Sequence, residues 1–197
     1  MPELFNKRII NSYLDNYSID NYKDKINVIN NWKRQLQIIK RLNEKELQAA
    51  FLKGIFGKVL GYKGVTEIDE NSVEWNLKIE ASTEIDASIP DGILGFYNEN
   101  KKEDKNRVVI ELKGPQVSLD EKQYRSDKNY GTPVDQAFSY TSKIDNCQWV
   151  VVSNMLEIRL YKMGRSQSYY EVFYLDELDQ ENNFKKFHML LSKDNLI

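Results

Sequence analysis

The run Arg107-Val108-Val109-Ile110-Glu111-Leu112-Lys113 constrains this chain more than any other segment. β-Branched side chains crowd a helix at χ1 but pack well on a pleated surface, so the run reads as a strand, and its unbroken apolar stretch as a central one. Gly114-Pro115 ends it. A second buried strand follows at Trp149-Val150-Val151-Val152. Between them lies a helix opened by Pro133, at the N1 position that proline tolerates, and running to about Ile144. The polar segment from Gln116 to Thr132 reads as an ordered loop or short helix.

The first sixty residues have another texture. Ile26, Ile29, Trp32, Leu36 and Ile39 recur at three- and four-residue spacing, the stripe of an amphipathic helix. A further helix starts at Asn43, where Glu46 completes a capping-box pattern. Leu47, Phe51, Ile55 and Val59 mark its buried face, and Gly61 stops it. From Gly64 the period shortens. Val73–Ile79 alternates as a strand should, and Ile89–Tyr97 reads as another, joined through a polar connection over 98–106 to the strand at Arg107. Met155–Lys162 and Tyr169–Leu175 extend the sheet, and a last helix covers roughly Gln180–Leu191. The order implies an α/β fold: a mixed central sheet flanked by helices, with an N-terminal helical extension over 1–42 and the main domain over 43–197.

Composition narrows the chemistry. A chain of 197 residues can bury a sizeable core. No stretch approaches the roughly 18 apolar residues of a membrane span, and the start, Met1-Pro2-Glu3-Leu4-Phe5-Asn6, has no signal-peptide pattern. The expected setting is cytoplasmic, with no membrane partner. A single cysteine, Cys147, and a single histidine, His188, exclude an internal disulfide and the usual zinc frameworks. Both read as packing residues, so hydrolytic chemistry must rest on carboxylates and lysine. The net charge of −2 announces no nucleic-acid partner, and capture of DNA would need local clusters of cations. Lys122, Arg125 and Lys128 form one such group and Arg159, Lys162 and Arg165 another; both serve equally well as solvated faces.

Asp91 opens one expected strand, and Glu111 and Lys113 close the next. Residues i and i+2 of a strand share a face, so Glu111 and Lys113 point together while Leu112 turns to the core. If the two strands form an antiparallel hairpin, Asp91 sits beside Glu111, within about 6 Å for carboxylates sharing one ion. Two such carboxylates suit Mg²⁺, and the lysine, expected at an exposed strand end, can orient a metal-bound water and offset phosphate charge. A simple salt bridge satisfies the same spacing. What favours the metal reading is the placement of charge at the end of a Val-Val-Ile run, since uncompensated burial of carboxylates is costly. On the helix after Pro133, Gln136 and Tyr140 lie four apart on one face, with Lys143 a turn beyond. These groups could bind phosphate or a positioned water, or could be ordinary surface polarity.

Pro90-Asp91, Glu111-Leu112-Lys113 and Gln136 to Tyr140 together resemble the PD-(D/E)XK nuclease signature with its trailing Gln-x-x-x-Tyr element. Three further segments look like the N-terminal nuclease domain of type IIG restriction-modification enzymes. They are Val59-Leu60-Gly61-Tyr62, Asp91-Gly92-Ile93-Leu94-Gly95-Phe96, and Thr132 to Tyr140 leading into Ser153-Asn154-Met155-Leu156-Glu157-Ile158-Arg159-Leu160-Tyr161. The resemblance spans about residues 43–195. It implies a restriction-endonuclease-like sheet, duplex DNA as substrate, and Mg²⁺, for which Mn²⁺ may substitute, held by Asp91 and Glu111. It also implies Lys113 as the catalytic lysine, with Gln136 and Tyr140 near the site; Gln136 is expected to act with the catalytic trio, and Tyr140 with the cations Arg125 and Lys143 to bind the substrate. The family often adds a helix glutamate on the metal side. Glu44 and Glu46 both qualify, and the capping role of Glu46 favours Glu44. Such enzymes continue into an adenine methyltransferase, which uses S-adenosylmethionine, and a target-recognition region. Neither an Asn-Pro-Pro-Tyr motif nor a cofactor-binding glycine motif occurs here, so the expectation is either a nuclease domain excised from a longer protein, which is favoured, or a free-standing nuclease. A type I restriction subunit or a repair nuclease would share the site, and a non-catalytic scaffold could share the fold.

Overall fold

The computed structural model describes residues 3–68, 73–80, 88–125, 128–129 and 131–197, and for 125, 128 and 129 the backbone alone. Four helices come first: α1 Lys7–Leu14, α2 Tyr22–Arg34, α3 Leu36–Ile39 and α4 Glu44–Phe51. Gln35 breaks the apolar stripe into two helices but leaves Ile29, Trp32 and Ile39 buried. Asn43 caps α4 in a complete capping box: its side chain accepts from the Glu46 N–H, and the Glu46 carboxylate accepts from the Asn43 N–H. That is one orphan donor satisfied in each direction. Beyond Phe51 the helix widens into a π-helix, Leu52–Val59, which the apolar spacing gave no reason to expect. It stops at Gly61, whose φ of +85° only glycine adopts without strain.

Among the described residues, six strands form one mixed sheet in the order β1-β2-β3-β6-β7-β8. They are β1 Trp75–Ile79, β2 Gly92–Tyr97, β3 Lys105–Leu112, β6 Trp149–Ser153, β7 Glu157–Lys162 and β8 Tyr170–Tyr174. Among these six described strands only β3 and β6 pair in parallel, joined across the sheet by α5 Pro133–Thr141, with Pro133 in its first turn as expected. In the polar segment before α5, which reads in the sequence as a loop or short helix, two short strands instead pair antiparallel, β4 Tyr124–Arg125 and β5 Lys128–Asn129. The chain closes with α6 Glu181–Leu191 and α7 Lys193–Leu196.

The alternation along β3 divides the core. Val108, Ile110 and Leu112 face a large apolar cluster shared with α2, the π-helix and α6. Residues before position 43 belong to that cluster, through Ile19, Ile29, Trp32 and Ile39. Val109 faces the other way, where Tyr140 and Ile144 cover it, while Val134 and Ala137 cover Val150 and Val152. Glu111 and Lys113 continue this second face, which α5 roofs. The molecule is thus an α/β fold with helices on both sides of a mixed sheet. Among the described residues no helix is long and apolar enough to cross a membrane.

Candidate active site

Antiparallel pairing sets Gly92 opposite Ile110 and Ile93 opposite Val109. β2 and β3 are thus antiparallel neighbours, as expected, and Asp91, in the bend just before Gly92, lies at the end of β3, where its carboxylate accepts from the Leu112 N–H. Glu111 is 1% exposed and forms a buried ion pair with Lys113, itself 4% exposed. Lys113 does not stand at an exposed strand end, because the end of β3 lies beneath surrounding chain. Its N–H bonds to the Ser153 carbonyl, and a β-carbon on the next residue, Gly114, would lie 3.3 Å from the Glu44 backbone nitrogen. Gln116 ties the two segments together by donating to the carbonyls of Lys40 and Leu42 at 2.7 and 3.2 Å.

Asp91 is half-buried, with both carboxylate oxygens occupied. Oδ2 accepts from the Leu112 N–H at 2.6 Å, and Oδ1 accepts from the Gln48 amide at 3.0 Å. Burial pushes the Asp91 carboxyl up to about 6; the Leu112 bond and the Lys113 charge oppose this, and the charges of Glu44 and Glu80 add to it. Burial raises Glu111 further, to about 8, opposed by Lys113 and reinforced by Asp91 and Glu44. Negative charge is therefore crowded into a low-dielectric recess, where a lysine offsets only part of it.

Glu44 and Glu46 part company here. Glu46 is committed to the helix cap, whereas the charge of Glu44 acts on both carboxyls. Among the described residues, Asp91, Glu111 and Glu44 do not close into a group of three or more that could hold a metal. A hard cation that keeps waters and phosphate oxygens needs only one or two carboxylates from the protein. The donor chemistry of Asp91 and Glu111 fits that requirement, and so does their charge deficit.

Gln136 and Tyr140 lie on the sheet side of α5. The Gln136 amide donates to the Tyr140 hydroxyl at 3.0 Å, and the Tyr140 ring, 7% exposed, packs with Ile93 and Val109, each two residues from a site carboxylate. Lys143 donates to the Ser88 hydroxyl at 3.3 Å. Ser88, Gln123, Asp135, Gln136, Tyr140 and Lys143 line a cleft of about 330 Å³. The Arg125 side chain lies outside the described residues.

Several side chains fall elsewhere. Arg159 is buried and held bidentately by Asp120 at 2.7 and 2.8 Å and by Glu157 at 3.1 Å, with its guanidinium 4.9 Å from the Tyr170 ring centroid. It is a packing element, not an exposed phosphate contact. Lys162 stacks over Trp149. His188 packs between Tyr17 and Phe184, with its ring nitrogens 2.8 Å from the Tyr17 hydroxyl and 2.9 Å from the Lys25 ammonium; burial and the Lys25 charge lower its pKa to about 4. The Cys147 thiol, held by the Trp149 carbonyl at 3.2 Å, is pushed up to about 11 by burial. Sequence reasoning missed Gln48 and Glu80. Gln48 stands one helical turn after Glu44, which could have singled it out once Glu44 was placed. Comparison of the chain with protein-family profiles, with curated proteins and with solved structures finds no match in any of the three.

Proposed function

We propose that this chain is a metal-dependent DNA endonuclease domain of the PD-(D/E)XK kind, on a restriction-endonuclease-like sheet. The observation that supports the reading is the convergence of Asp91, Glu111 and Lys113 at the adjoining ends of β2 and β3: Lys113 pairs with Glu111, Asp91 accepts from the Leu112 N–H between them, and burial raises both carboxyl groups. Carboxyls perturbed by burial and by a specific charge partner are the groups from which functional sites are built.

Asp91 and Glu111 would hold the ion, Mg²⁺ or Mn²⁺. When bound, such an ion supplies charge neutralisation at a phosphodiester and a more acidic water. The residues of the chain divide the remaining work. The Glu111 carboxylate accepts the Lys113 ammonium, which keeps that lysine within reach of a water or a phosphate oxygen beside the carboxylates. The low dielectric of the recess strengthens each of these interactions relative to bulk water. Gln136 and Tyr140 offer neutral hydrogen-bonding groups one turn along the roof helix, and Lys143 adds positive charge beside the cleft. In the setting proposed here, a restriction-modification enzyme, methyltransferase and specificity domains elsewhere in the protein would choose the sequence. The present chain would bind duplex DNA through phosphates alone.

The test is calorimetric titration with Mg²⁺ and Mn²⁺. The wild type should bind, and Asp91→Ala should lose binding while keeping its circular dichroism spectrum. Equal binding by the two proteins would remove the basis of the proposal.

A further inference from the structure

Asp91 lies in a bend just before β2, outside the ladder that begins at Gly92 and Ile110. Its backbone therefore does not by itself decide where the carboxylate points. Two hydrogen bonds from different elements do so. The Leu112 N–H comes from β3, and the Gln48 amide, at 3.0 Å, comes from α4, 43 residues away in sequence. The helix that carries Gln48 is anchored at three places. The capping box fixes the start of α4, Leu47 and Phe51 beside Gln48 are buried in the core, and Gln116 binds the segment before it to the loop that follows Lys113.

We propose that Gln48 is the positioning residue of the metal site, holding the Asp91 carboxylate in its ligating orientation before the ion arrives. This inference rests on the metal-dependent reading above. Its chemistry suits the task. A neutral amide donor fixes an anion without bringing a positive charge that would compete with the ion, as a lysine or arginine at the same place would. Each Asp91 oxygen accepts one bond from the protein and keeps a further lone pair for a ligand. On α4, Glu44 and Gln48 are i and i+4 and so share one face: one contributes charge to the recess, and the other contributes orientation. Partners that orient a metal-ligating side chain typically account for about 10–100-fold in metal affinity or activity.

The test is Mn²⁺ titration calorimetry on the intact chain, run beside metal-free urea unfolding. Gln48→Met keeps side-chain length and helix propensity but cannot donate. Gln48→Asn keeps the amide but falls a methylene short. Each should weaken Mn²⁺ binding by about 10–100-fold while still unfolding cooperatively. Ala49→Met, on the exposed side of the same turn, should bind Mn²⁺ as the wild type does. If either folded Gln48 variant binds Mn²⁺ with wild-type affinity, the positioning role is wrong and the metal reading survives. A wild type that binds no Mn²⁺ overturns both. Equal weakening by Ala49→Met would assign the effect to the helix in general and overturn the role of Gln48.

Discussion

Replacing Asp91 with asparagine should make the metal-free protein more stable at pH 8, not less. The Asp91 carboxyl sits at about 6 in the fold, against an ordinary value of 3.8. Its folded value is the higher one, so between those two values the folded state holds more protons than the unfolded state. The ionised form weakens the fold progressively as pH rises through that window, and fully so above it. Two units of displacement correspond to about 3 kcal/mol. Half-burial lets solvent screen part of this, so the expected gain is about 1–2 kcal/mol. Asparagine keeps the shape and can still accept from the Leu112 N–H, while Gln48 can turn its carbonyl to the new amide. Near pH 4 the two proteins should be alike. Mg²⁺ should then reverse the order at pH 8. An ion present at a hundredfold excess over its dissociation constant adds about 2.7 kcal/mol to the wild type and nothing to a variant that cannot bind it. The assay is urea unfolding followed by tryptophan fluorescence, at pH 4 and pH 8, in chelator and in Mg²⁺. If Asp91→Asn is less stable than wild type at pH 8 in chelator, the two hydrogen bonds outweigh the burial of the charge. The recess would then not be a site held under strain for a cation.

Two further outcomes follow from groups away from the site. His188 has a folded pKa of about 4, below its ordinary 6.5, so its contribution is intact above 6.5 and is lost as pH falls toward 4, up to about 3 kcal/mol; urea unfolding at pH 7 and pH 4.5 should show that loss reduced in His188→Gln, and an identical loss in both proteins would contradict it. Arg159→Met should destabilise by about 1–3 kcal/mol, since it leaves the mostly buried Glu157 carboxylate without its cation while Asp120 is exposed to water, and should leave duplex affinity by fluorescence anisotropy unchanged; weaker DNA binding at unaltered stability would make Arg159 a phosphate ligand instead.

Local signals were legible wherever the physics was local. The capping box at Asn43 and Glu46, the stop at Gly61 and the proline start of α5 all reappear, because each involves residues within four positions. The central place of β3 was legible too, since a run buried on both faces needs neighbours on both sides. The antiparallel pairing of β2 with β3 followed from the polar connection over 98–106, which favours a hairpin. What could not be read is set by tertiary pairing. Arg159 looked like a surface cation because its partner Asp120 lies 39 positions away. The hydrogen bond from Gln48 crosses 43 positions, and the burial of Lys113 depends on α4 arriving over the strand end. The π-helix leaves the spacing of Phe51, Ile55 and Val59 compatible with an ordinary helix, so periodicity is blind to it.

The central claim is that Asp91, Glu111 and Lys113 act together on a phosphodiester, and nicking of supercoiled plasmid at low salt tests it most directly. Wild type, Asp91→Ala and Lys113→Met are compared in Mg²⁺, Mn²⁺ and chelator, each protein first shown to be folded by circular dichroism. Lys113→Met retains bulk in the buried position, and the Glu111 carboxyl, already raised, can stay protonated when its partner is lost. The account predicts slow nicking by the wild type, dependent on the ion and without a fixed fragment pattern, because a chain of net charge −2 binds duplex only through scattered phosphate contacts. Both variants should fall by about 100-fold or more. Equal nicking by all three proteins, or none from a folded wild type with either ion, would contradict it.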